Sequence, residues 1–143
     1  MISLDKIHKQ LILHEGIRLK PYNCTGGKMT IGVGRNLEDK GINREEALHL
    51  LANDIKDVKE ELDEFYWFEE LSEIRQRVII DMAINLGVSG LLKFKKMITA
   101  LKGGDYKRAA IEMLDSRWAK QVGGRADRLA RMMETDRDFI KGG

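Results

Sequence analysis

Three side chains near the N-terminus could do chemistry together: Glu15, Cys24 and Thr30. Glu15 stands just before Gly16, Cys24 is the only cysteine of the chain, and Thr30 lies in the glycine-rich run TIGVG. A glutamate can serve as a general acid, and the negative end of a helix dipole favours its uncharged form. A lone cysteine before a Gly-Gly turn is ordinarily a small packing residue, and a threonine in a strand is simply a good strand former. Interior glycines weaken a strand, so their presence at Gly32 and Gly34 points to close approach of another chain segment or a ligand. The histidines, His8, His14 and His49, fall in helical stretches and give Cys24 no recognisable base. One cysteine and scattered histidines provide no metal-ligand spacing, so neither a metal nor another cofactor is expected.

The elements that must position these groups are mostly helices. Ser3 can cap a first helix, 3–15, with Leu4, Ile7 and Leu11 as its stripe and Gly16 as its stop. The stretch 16–42 reads as a small antiparallel hairpin lobe. Its turn is Thr25-Gly26-Gly27, its alternating residues are Met29, Ile31 and Val33, and it holds the sole proline, Pro21. Asn43 and Glu46 have capping-box spacing and start a connecting helix, 43–64, with the stripe Leu48, Leu51, Ile55, Val58 and Leu62. At least four shorter helices follow in a larger helical lobe, 65–143. Ser72, Ser89 and Asp105 are read as the caps of three of them, the Ser89 helix running to Gly103, and Gly124 precedes another. The expected fold class is therefore α+β, mainly α, in a single domain, 1–143. A cleft between the lobes would be a usual place for a ligand.

Residues 14–37, HEGIRLKPYNCTGGKMTIGVGRNL, resemble the active-site segment of the phage-type lysozymes, the T-even phage muramidases of glycoside hydrolase family 24. That family carries Glu, eight residues, Asp or Cys, five residues, Thr, and this chain has Glu15, Cys24 and Thr30 at that spacing. RVIIDMAINLG (77–87) resembles the family's central buried helix, and SRWAKQVGGRADR (116–128) its segment with a tryptophan and a following arginine. The loop at about 38–42 is shorter than in the T-even protein. The resemblance implies a lysozyme-like fold and cleavage of the β-1,4 bond between N-acetylmuramic acid and N-acetylglucosamine in peptidoglycan. Glu15 would be the acid. Cys24 and Thr30 would hold or activate water, with Cys24 as thiolate base, as nucleophile or only as a polarising group. Arg125 would reach Glu15 and fix its carboxyl, Trp118 would be core, Asn85 would face the cleft, and Tyr22 and Gly34 would support the site or bind substrate.

Hydrophobic residues make up 43% of the chain and charged residues 34%, which fits a well-solvated folded domain rather than disorder. No apolar run is long enough to span a bilayer, and the N-terminus lacks the apolar centre of a signal peptide. The reading is a monomer without stable membrane insertion, made in the host cytoplasm; the resemblance implies release to the wall by a holin. The net charge is +2 but uneven: residues 38–73 hold 13 acidic and 4 basic residues, residues 93–131 hold 11 basic and 4 acidic. A basic lobe would be drawn to anionic cell walls. A nucleic-acid-binding role is the rival for that half, but no helix-turn-helix signature supports it and the hairpin would be unexplained. A lytic transglycosylase and a non-catalytic wall-binding module are the nearer alternatives.

Overall fold

Local capping sets most of the element boundaries. The computed structural model describes residues 1–139; the last four residues of the expected helical lobe lie outside them. The chain divides into two compact units, Met1–Leu50 and Leu51–Gly143. The fold is α+β and mainly helical.

The first unit begins with α1, Leu4–Glu15, whose N-cap Ser3 accepts from the Lys6 N–H. Three strands follow, β1 Arg18–Asn23, β2 Met29–Gly32 and β3 Arg35–Asn36, in an antiparallel sheet of order β1-β2-β3. The expected hairpin is thus a three-stranded sheet. The two-residue β3 is too short to show an alternating pattern, yet Ile31 pairs with Arg35 and Thr30 with Asn36. The helix α2, Arg44–Leu62, starts in this unit with the expected capping box. Asn43 Oδ1 accepts from the Glu46 N–H at 2.8 Å, and Glu46 Oε1 accepts from the Asn43 N–H at 3.0 Å. The α1 stripe is not buried: Leu4 is 70% and Leu11 44% exposed, and the helix contributes no buried residue. Periodicity marks an apolar face, and three short strands provide no core to cover it.

The second unit holds the rest of α2, then α3 Tyr66–Glu69, α4 Glu73–Leu86, α5 Val88–Leu91, α6 Lys95–Lys102, α7 Tyr106–Leu114, α8 Arg117–Val122 and α9 Gly124–Thr135. Ser72, Asp105 and Ser116 cap α4, α7 and α8 with side-chain oxygens. Phe68, Val78, Ile79, Met82, Leu91, Met97, Met113 and Met133 form the fully buried centre. The α2 stripe joins this core only at its end, where Leu62 is buried and Val58 packs against the cluster, whereas Leu48, Leu51 and Ile55 stay partly exposed.

The single helix expected after Ser89 is two helices. Gly87, at φ 79°, leads directly into α5, so Ser89 lies inside a helix rather than capping one. Tight turns then interrupt the ladder: the Lys93 N–H bonds Gly90 O and the Phe94 N–H bonds Leu91 O. This break turns Phe94 edge-on to Trp118, with ring centroids 6.1 Å apart, an arrangement aromatic pairs favour.

Candidate active site

Glu15 is the last residue of α1, and Gly16 at φ 73° ends the helix directly after it. The Glu15 carboxyl lies against Gly34, in the turn between β2 and β3. A Cβ on Gly34 would stand 2.6 Å from Glu15 Oε2 and 3.0 Å from its Cδ. Gly34 also has φ 69°, a conformation that disfavours any side chain. The glycine therefore does two things: it makes the turn, and it leaves the space the carboxyl occupies.

Cys24 and Thr30 meet across the first hairpin. The Cys24 N–H bonds Lys28 O at 2.9 Å and Cys24 O accepts from the Gly27 N–H at 2.8 Å, closing a turn that ends in left-handed Gly27. Thr30, on β2, is buried to 3% exposure and is the one buried polar residue among the described residues. Its hydroxyl donates to Lys28 O at 2.9 Å. Cys24 is half-buried, and its thiol is held below its ordinary pKa. The largest cause is the backbone hydrogen bond from Lys28, followed by those from Gly26 and from the Thr30 side chain, with burial opposing them. The Thr30 hydroxyl has one proton and two acceptors. Opposite a neutral thiol it can donate to Lys28 O; opposite a thiolate it can turn to the sulfur.

Tyr22, half-buried on β1, lies directly across from Thr30, so the two share a face of the sheet. The Arg18 guanidinium sits 4.7 Å from the Tyr22 ring centroid. The first unit thus brings Glu15 against Gly34, Cys24 against Thr30, and Tyr22 opposite Thr30. Arg35, unmarked by the sequence reading, braces this sheet. Its Nη2 donates to Glu46 Oε2 at 2.7 Å, and its Nη1 donates to Glu46 Oε1 at 3.1 Å and to Gly41 O at 3.0 Å. β3 is thereby tied to the start of α2. Glu46 was legible only as a capping residue; its second partner lies 11 positions away.

Arg125 and Asn85 belong to the second unit. Arg125, in the first turn of α9, donates from Nε to Asp81 Oδ1 at 2.8 Å and from Nη2 to Asp81 O at 3.3 Å. Asp81, on α4, escaped the sequence reading because nothing local pairs it with a residue 44 positions on. Asn85 stands one turn further along α4 and accepts the Trp118 indole N–H at 2.7 Å, which ties the buried tryptophan of α8 to α4. Among the described residues no group of three or more His, Cys, Asp and Glu is placed to hold a metal ion.

The phage lysozyme family profile matches residues 13–134, a span that includes every one of these groups. The pre-baseplate central spike protein of Enterobacteria phage T4 is 29% identical over 151 residues, covering 85% of this chain and 26% of the spike protein, so this chain spans far less than that relative's length. A probable T4-type lysozyme of Dictyostelium discoideum is 26% identical, with 92% of this chain and 95% of that protein covered. An endolysin of Acyrthosiphon pisum secondary endosymbiont phage 1 is 30% identical, with coverages of 75% and 73%.

Proposed function

From the premise that the chain belongs to the phage lysozyme family, we propose that it is an endolysin that hydrolyses the N-acetylmuramic acid to N-acetylglucosamine bond of peptidoglycan. The observation that carries this reading is the Glu15 carboxyl seated on Gly34, in the same unit as the Cys24–Thr30 pair. Glu15 is the general acid and gives its proton to the glycosidic oxygen as the bond breaks. Water attacks from the opposite face, held by the Thr30 hydroxyl and the sulfur of Cys24. That inverting scheme needs about 6.5–9.5 Å between acid and base to admit the water.

Cys24 replaces a carboxylate with a thiol, and a neutral thiol is a poor acceptor. The N–H groups of Lys28 and Gly26 and the Thr30 hydroxyl favour the thiolate. The role that fits best is a thiolate that activates or aligns water, with Thr30 supplying the second hydrogen bond. Tyr22 supports Thr30 from the neighbouring strand. By the family resemblance Arg125 has a supporting role; in the second unit its guanidinium is held by Asp81 of α4, and Asn85 of the same helix holds the Trp118 indole. The chain works as a monomer on the cell wall, reaching it from the host cytoplasm through a holin.

Glu15→Gln keeps the shape of the side chain and removes the transferable proton. Lysis of purified walls should fall at least about 100-fold, the low end for general acid catalysis. A Gln variant that clears walls at close to the wild-type rate overturns the muramidase reading.

A further inference from the structure

The second unit carries a groove that none of the chemistry above uses. It runs between α3 and α6 with a volume of about 840 Å³. Tyr66, on α3, stands at its edge with 74% of its surface exposed, while its neighbours Trp67 and Phe68 are buried in the core. Along α6 the groove is lined by Lys95, Ile98, Thr99 and Lys102. These are positions i, i+3, i+4 and i+7, one face of a helix. Glu64 also lines it.

Among the described residues the two lysines of this face, Lys95 and Lys102, have no ion-pair partner, and neither do Lys93 and Lys96 beside them. Two of them, Lys95 and Lys96, occupy the first turn of α6, which has no acidic residue and no side-chain cap. Cations at the positive end of a helix dipole oppose its stability. A helix arranged for stability alone would carry acids there.

We infer that the α3–α6 groove is a second binding site for a peptidoglycan strand, with Tyr66 stacking on a sugar ring and Lys95 and Lys102 receiving successive acidic peptide stems. An exposed aromatic ring offers its face to the C–H side of a pyranose. Glu64 accepts from sugar hydroxyl or acetamide groups. Seven residues of helix separate the two lysines, about 10.5 Å at 1.5 Å per residue. That is about the length of one disaccharide of a β-1,4-linked chain, and peptidoglycan carries one acidic stem per disaccharide. The ligand class rests on the wall-lytic reading of the first unit. The groove would hold the insoluble wall while the first unit cuts it.

The test uses the full chain in a Glu15→Gln background, so that walls stay intact during measurement. Pelleting with purified sacculi at physiological salt gives the dissociation constant. Tyr66→Ala and the double variant Lys95→Ala/Lys102→Ala should each weaken binding about tenfold. Lys107→Ala/Lys120→Ala removes the same charge from other exposed positions and should change it less than about twofold. Cleavage of a soluble tetrasaccharide by the same variants with Glu15 restored should match the wild type. Equal binding by groove variants and parent overturns the proposal, and so does an equal loss in the control pair, which would mean general charge attraction. If wild type fails to cleave walls while groove variants still lose binding, the groove stands and the muramidase reading falls.

Discussion

The two units of the chain are built on different principles. Among the described residues, every buried apolar one, from Leu62 to Met133, belongs to the second unit. In the first, the only buried residue is the polar Thr30. The second unit is ordered by burial. The first is ordered by caps, turns at positive φ, a three-stranded ladder and the Arg35–Glu46 pair. The proposed chemistry sits in the unit without an apolar core. Local opening and functional groups commonly share the less stable parts of a protein. The division predicts that substitutions should separate: stability lost from one unit, activity from the other.

The largest effect should come from the core. Phe68 is fully buried, and Phe68→Ala should cost about 3–5 kcal/mol in denaturant unfolding, with wall lysis per folded molecule unchanged at low temperature. A cost under about 1 kcal/mol would mean that the second unit is not ordered by its core.

Gly34→Ala should show the reverse pattern. The new Cβ meets the end of the Glu15 side chain, which can swing aside, so the fold tolerates it at about 1–2 kcal/mol for the left-handed backbone. The carboxyl is displaced in swinging, and lysis should fall about 10- to 100-fold, since an error of about 1 Å in a reacting group costs that much. Unchanged lysis would show that the seat on Gly34 does not position the acid.

The smallest effect is a change in pH profile at Cys24. If the thiolate is the working form, wild-type activity declines as pH falls through the lowered thiol pKa, because the anion is lost there. Cys24→Asp, with an ordinary pKa of about 4, should extend lysis to more acidic pH. Cys24→Ala should lose rate and the thiol-dependent limb together. An Ala variant with the wild-type rate and profile would show that Cys24 serves packing alone.

What was legible in the sequence follows the same division. Ser3, Ser72 and Asp105 cap the expected helices, and Asn43 with Glu46 forms the expected box, because a cap is decided within four residues. The family was legible through the joint spacing of Glu15, Cys24 and Thr30, where each residue alone had an ordinary explanation. Three features were not. The α1 stripe names an apolar face but no partner for it. The break between α5 and α6, which sets Phe94 edge-on to Trp118 two dozen residues on, has no local signal. Asp81 acquires meaning only through Arg125, and Arg35 only through Glu46. Pairings between distant, otherwise ordinary residues leave no local mark on the sequence.

The central claim is that the first unit delivers water to a glycosidic bond. The most direct measurement is mass spectrometry of purified peptidoglycan digested by the wild-type chain in water enriched in oxygen-18. Hydrolysis predicts reducing muramic acid ends that each carry one heavy oxygen, with their yield abolished by Glu15→Gln. Anhydro ends without the label would identify a lytic transglycosylase. Intact strands would leave a wall-binding module and contradict the account.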